Sequence, residues 1–130
     1  MKILVGYDGS KIAEDALEEA HRHALAFNGD VFIVTSLEQS PSLKKKEIDK
    51  AESKLENFRK PFRKDDIACE VSTVVSYESP GEALVRFAKE NDMDEIIIGV
   101  RRRSKVGKLV FGSTAQYVIL QAPCTVVTVK

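Results

Sequence analysis

Lys2-Ile3-Leu4-Val5-Gly6-Tyr7-Asp8-Gly9-Ser10 is the stretch that decides how this chain folds. The run from Lys2 to Tyr7 is nearly continuous in apolar character, which suits a strand covered on both faces, as in a parallel sheet. Asp8-Gly9 turns the chain, and Ser10 is a residue type that caps helix N-termini. Ala13, Ala16, Leu17, Ala20, Ala24 and Phe27 then recur at helical spacing, until Asn28-Gly29 stops the helix. A buried strand, a sharp turn and an amphipathic helix make one strand–helix unit.

The remainder repeats that unit. Val31-Phe32-Ile33-Val34 reads as a second buried strand running on towards Ser36, and Pro41 closes the loop after it. Ile48, Ala51, Leu55, Phe58 and Phe62 give a second amphipathic helix, which Pro61 is predicted to break or kink near its end. A third strand covers Cys69 to Val75. Ser79-Pro80-Gly81-Glu82 is a helix start: serine cap, proline in the first helical position, glutamate reaching back. Ala83, Leu84, Phe87 and Ala88 form the buried face of that third helix. Glu95-Ile96-Ile97-Ile98-Gly99 is the fourth strand, and a basic loop follows it. Ser113-Thr114-Ala115-Gln116 reads as a second capping box, opening a helix that turns Val118 and Ile119 inward. Pro123 ends that helix, and Cys124 to Val129 forms a fifth strand. The alternation predicts a single α/β domain over residues 1–130, an open and mostly parallel sheet with helices on both faces.

Composition agrees with a globular chain: 130 residues, 43% hydrophobic and 31% charged. No apolar run approaches the ~20 residues of a membrane-spanning helix. The N-terminal apolar run is too short for a signal-peptide core, so a cytoplasmic location and no membrane partner are expected. Cys69 and Cys124 are read as buried free thiols, since two cysteines make no disulfide framework. His21 and His23 stand two apart on a helix, share no face, and are read as solvent-facing. Net charge is zero but unevenly spread: Met1–Glu95 carries 14 Lys/Arg against 20 Asp/Glu, and Ile96–Lys130 carries 6 Lys/Arg and no acid. Five of those six cations fall within Arg101–Lys108, a sharp local basic site.

Open α/β sheets bind ligands at the carboxyl ends of their strands, where strand order reverses. Two strand ends carry suitable residues. Asp8, with Gly9 and Ser10, places a carboxylate that accepts bonds from ribose hydroxyls or an adenine edge; the bland reading is that it shapes the turn. The segment Gly99 to Ser113 is bounded by glycines and cationic in its middle. It delivers Ser113 and Thr114 to a helix N-terminus, where free N–H groups and the macrodipole favour an anion such as phosphate. A P-loop would need glycine at Arg102 and Ser or Thr at Leu109, and the GxGxxG fingerprint is absent after the first strand.

The opening Ile3-Leu4-Val5-Gly6-Tyr7-Asp8-Gly9-Ser10, Gly112-Ser113 before a helix, and Ala122-Pro123-Cys124 before a valine-rich strand resemble the universal stress protein family over nearly the whole chain. The resemblance implies a Rossmann-like sheet of five strands in the order 3-2-1-4-5, with Asp8 and Gly99 facing one crevice. ATP-binding members of that family carry a glycine, two residues, a glycine, nine residues, then glycine and Ser or Thr. Gly99 and Gly112-Ser113 match; Arg102 stands at the middle glycine, where it either obstructs a triphosphate or clamps phosphate bidentately. By the same alignment Asp8 matches an adenosine-contacting aspartate, and Ser36 the strand-two position whose backbone meets the base. The implied nucleotide site is Tyr7, Asp8, Ser36, Ile98, Gly99, the cations Arg101, Arg102, Arg103 and Lys108, and Gly112, Ser113 and Thr114. The implied ligand is ATP or another adenine nucleotide, with Mg as an accompanying ion; no residue is assigned to catalysis or to a resident metal.

The function so implied is a cytoplasmic stress-response regulator that binds an adenine nucleotide. The alternative is a nucleotide-independent dimeric signalling member that works through partner contacts. The resemblance also implies a homodimer formed through the C-terminal strand. Nucleic-acid binding is disfavoured by zero net charge and by a basic segment without interleaved aromatics. Slow ATP hydrolysis is the one reaction open to such a site, since no His, Asp or Glu lies between Gly99 and Ser113 to act as a general base.

Overall fold

The computed structural model of the chain describes residues 1–100 and 111–130. Its elements alternate as the sequence predicts: β1 (Lys2–Gly6), α1 (Lys11–Phe27), β2 (Asp30–Glu38), α2 (Lys45–Lys64), β3 (Cys69–Ser76), α3 (Pro80–Glu90), β4 (Glu95–Gly99), α4 (Ser113–Gln121) and β5 (Thr125–Val129). The strands form one sheet in the order β3-β2-β1-β4-β5, and all four neighbouring pairs are parallel. α1, α2 and α4 each link parallel neighbours and α3 crosses from β3 to β4 on the far side of β1; parallel strands need such crossovers, which is why strand and helix alternate.

Alternation along the strands sorts the core into two layers. Ile3 and Val5 of β1 and Tyr7 just past its end, with Val31, Ile33 and Ile97, lie under Ala13, Ala16, Leu17, Ala20 and Ala24 of α1 and Leu55 and Phe62 of α2. Leu4, Val34, Ile96 and Ile98 point the other way, against Leu84, Val85 and Ala88 of α3 and Ala115 and Val118 of α4. The central strand is sealed on both faces, with Ile3, Leu4 and Val5 wholly buried. Burial of each such side chain contributes roughly 1.5–3 kcal/mol.

Several local expectations need correction. Pro61 neither breaks nor ends α2, which runs on to Lys64. Its missing N–H removes the bond to the Asn57 carbonyl, but the next residue, Phe62, is buried and meets His21 edge-on at 5.1 Å, so packing holds the last turn. In α4 the inward stripe is Ala115, Val118 and the partly buried Ala122; Ile119 falls on its flank and is 39% exposed. Phe27, at the overhanging end of α1, is 60% exposed and contacts only the His23 ring among the aromatic groups described. The histidines are half-buried and paired instead of facing solvent. His21 Nε2 lies 2.7 Å from Asp65, and His23 bridges Glu19 at 3.0 Å and the buried Glu95 at 2.6 Å. Both cysteines are free thiols, as expected, although only Cys69 is fully buried and Cys124 is half-buried. Burial pushes the Cys69 thiol up to about 11 and raises that of Cys124. No helix among the described residues is long and apolar enough to cross a membrane.

Candidate functional site

Strand order reverses between β1 and β4: β2 and β3 lie to one side of β1, β4 and β5 to the other. The helices that follow these two strands lie on opposite faces of the sheet, α1 on one and α4 on the other, and such a reversal opens a crevice at the strands' carboxyl ends. A cleft of about 220 Å³ occupies that place.

Of the residues singled out in the sequence, Tyr7, Asp8, Ser36, Ile98, Gly99 and Thr114 all line this cleft. Gly112 and Ser113 stand beside it at the start of α4 without lining it. Arg101, Arg102, Arg103 and Lys108 lie outside the described residues.

Each position follows from its element. β1 hands the chain to a turn in which Gly9 adopts φ +87°, a conformation that favours glycine. In that turn Asp8 Oδ1 accepts from the Ser10 N–H at 3.0 Å and from the Ser10 hydroxyl at 2.5 Å. Ser10 Oγ in turn accepts from the Ala13 N–H at 3.2 Å, capping α1 as predicted. Asp8 thus shapes the turn and presents a carboxylate at the cleft; it is the sole charged side chain among the described lining residues. Tyr7 enters the lining, but its ring packs on the opposite face of the sheet, 4.8 Å from the Phe58 ring and under Lys54. β2 outruns β1: its last partner there is Val34, paired with Gly6, and the strand continues to Glu38. Ser36 rides on that overhang.

The walls that sequence reasoning missed come from tertiary approach. Pro80 and Leu84 of α3, together with Ile12 of α1, complete the cleft. At Gly6 a Cβ would come within 2.8 Å of Leu84 Cδ1, so a larger residue there would displace the Leu84 side chain from the cleft wall. At Gly99 a Cβ would meet Ile12 Cγ1 and Cγ2 at 2.8 Å and the Ile12 carbonyl oxygen at 2.9 Å. This glycine therefore admits the first turn of α1 against the end of β4. The capping signal at Ser79 already fixed where α3 begins, and hence that its first residues sit at this end of the sheet.

At the start of α4 the predicted capping box is displaced by one residue. Gly112 is the N-cap, in extended conformation, and no side chain caps the helix. Ser113 is its first helical residue, and Thr114 faces the cleft. First-turn N–H groups without a side-chain cap carry the positive end of the helix dipole, an arrangement suited to an anion. The cleft accordingly joins an apolar slot (Val34, Leu84, Ile98, Ala115) to a carboxylate at one side and an uncapped helix start at the other. An apolar slot with few placed polar groups is the general form of a small-molecule site, and these fit a nucleotide's base, sugar and phosphate. No cluster of three or more His, Cys, Asp or Glu suited to a metal occurs among the described residues.

Comparison with known proteins agrees with this architecture. A universal stress protein of Thermus aquaticus is 31% identical over 134 residues, a match covering 98% of this chain and 97% of the relative. The structure of a universal stress protein from Archaeoglobus fulgidus superposes with a TM-score of 0.87 at 36% identity, covering 100% of this chain and 98% of that one. The universal stress protein from Archaeoglobus fulgidus in complex with dAMP gives a TM-score of 0.83 at 32% identity, over 100% and 98% of the two chains. The Universal stress protein family profile matches residues 1–130 in full, so the chain belongs to that family.

Proposed function

We propose that this chain binds an adenine nucleotide in the cleft at the ends of β1 and β4 and serves as a cytoplasmic stress-response regulator. The observation that carries this reading is the cleft's position at the β1–β4 reversal, in a chain 32% identical to a relative whose structure holds dAMP. The base occupies the apolar slot against Ile98, with the Ser36 main chain at its edge. The Asp8 carboxylate accepts from the ribose hydroxyls. Phosphate lies towards Gly99, Gly112, Ser113 and Thr114, with Arg101, Arg102, Arg103 and Lys108 supplying positive charge. ATP, with Mg, is the form the glycine pattern favours, and Arg102 decides how well a third phosphate is tolerated. Titration calorimetry with AMP, ADP and ATP tests this: saturable binding at sub-millimolar ligand is expected. Absence of heat with all three at millimolar ligand would discard it.

A second reading, a nucleotide-independent dimer acting through partner contacts, is favoured by one observation. Helix α4 carries no charged residue and leaves Tyr117, Ile119 and Leu120 exposed, the last at 69%. Mass spectrometry of small molecules released from the purified, denatured protein separates the two readings. Recovered adenine nucleotide supports the first.

A further inference from the structure

The end of β2 holds two neighbouring hydroxyls with opposite fates. Thr35 is buried, and its Oγ1 donates to the Tyr7 carbonyl oxygen at 3.0 Å. Ser36 Oγ is also buried, yet it has no hydrogen-bond partner. A buried hydroxyl left unpaired opposes folding, so a native chain retains one where something else supplies the missing bond.

The geometry limits what that partner is. Side chains two apart on a strand share a face, so Ser36 points to the same side as Val34. That is the side of Leu84 and Ile98, and all four residues line the cleft. On its own strand level Ser36 is flanked by Val74 of β3, while β1 has already ended at Gly6, paired with Val34. The direction left open to the hydroxyl is the cleft, whose lining includes Ser36. The surroundings there are apolar and slot-like, the part of the site given above to the base.

We propose that Ser36 Oγ is a specificity-determining contact, bonding the polar edge of an aminopurine and distinguishing it from a purine without the exocyclic amine. This inference rests on the nucleotide reading and adds a side-chain role to a position otherwise assigned through its backbone. Here the hydroxyl oxygen accepts from the exocyclic amine, while the adjoining ring nitrogen, present in both purines, is left to the Ser36 main chain.

The test compares AMP with purine riboside 5′-monophosphate, which lacks the amine, on native protein and on Ser36→Ala. Native protein is expected to prefer AMP by about tenfold or more, and Ser36→Ala to bind the two with equal affinity, because removal of either partner removes the same bond. Ser36→Cys, close in volume but with sulfur a weak acceptor, should lose the preference as well. Thermal unfolding of the ligand-free proteins supplies a readout that needs no nucleotide. Ser36→Ala should unfold at the native temperature or higher, since it deletes an unpaired buried hydroxyl. A preference retained in Ser36→Ala, or a lowered unfolding temperature, overturns this inference and leaves the nucleotide reading standing. Failure of native protein to bind AMP overturns both.

Discussion

Asp8 and Arg102 are the two residues on which the ligand question turns. The Asp8 carboxylate already accepts twice from Ser10, so alanine there would damage turn and ligand binding together. Asn keeps the turn, because its side-chain oxygen makes the same Asx contact, while the charge is lost. Asp8→Asn is therefore expected to unfold at nearly the native denaturant midpoint but to bind AMP about 1 kcal/mol more weakly, the difference between a charge-assisted and a neutral hydrogen bond. Equal affinity in calorimetry would leave Asp8 as a turn residue only. Arg102 stands where ATP-binding relatives have glycine. If it clamps phosphate, Arg102→Ala should weaken ATP binding by about 1.5–3 kcal/mol; a gain in Arg102→Gly would identify it as an obstruction. Residue identity made Asp8 and Gly99 legible as candidates, because turn chemistry and spacing are local; Ser36 came only through the family resemblance. The neighbours of all three were not legible. That Gly99 stands against Ile12, or that Ser36 Oγ lacks a partner, depends on how distant elements meet.

Helix starts show where local signals suffice. At α3 the motif specifies its own geometry: Ser79 Oγ accepts from the Glu82 N–H, and the Glu82 carboxylate receives the Ser79 N–H in return. Ser79→Ala should therefore cost about 1 kcal/mol in chemical denaturation and loosen the cleft wall at Pro80. At α4 the same reading placed the cap one residue late, and the structure makes Gly112 the N-cap. Ser113→Ala is accordingly expected to change stability by no more than about 0.5 kcal/mol, the range for a side chain outside such motifs. Any fall in nucleotide affinity in that variant would then report on the ligand. The existence and type of each described element were legible because continuous apolar runs alternate with helical stripes, and turn or cap signals separate them. Details that failed were tertiary: Phe62 burial holding the helix past Pro61, the flank position of Ile119, and acidic partners brought to His21 and His23 from Asp65 and Glu95.

In the whole molecule, β3 and β5 are the edge strands of the sheet among the described residues, and they differ. β3 is fully paired along β2 on one side and carries α2 over one face, whereas β5 is short and lacks charge between Thr125 and Val129. Unpaired N–H and C=O groups on such an edge invite a second strand. Two copies meeting antiparallel would satisfy both edges and close with two-fold symmetry. Which backbone groups face outward follows from one bond. The Val129 carbonyl accepts from the Val100 N–H at 2.8 Å, so Val129 faces β4. A residue's N–H and C=O point the same way in a strand and alternate along it; Thr125 and Val127 therefore also face β4, and Val126 and Thr128 face the open edge. Proline at Val127 would strike the ladder that holds β5 to the sheet. Proline at Thr128 removes only an outward donor, and its ring suits an exposed edge. Thr128→Pro is thus expected to give a monomer by light scattering at concentrations where the native chain is a dimer, with its unfolding temperature nearly unchanged. Val127→Pro should lower that temperature markedly. A native chain that scatters as a monomer at micromolar concentration would remove β5 as an interface.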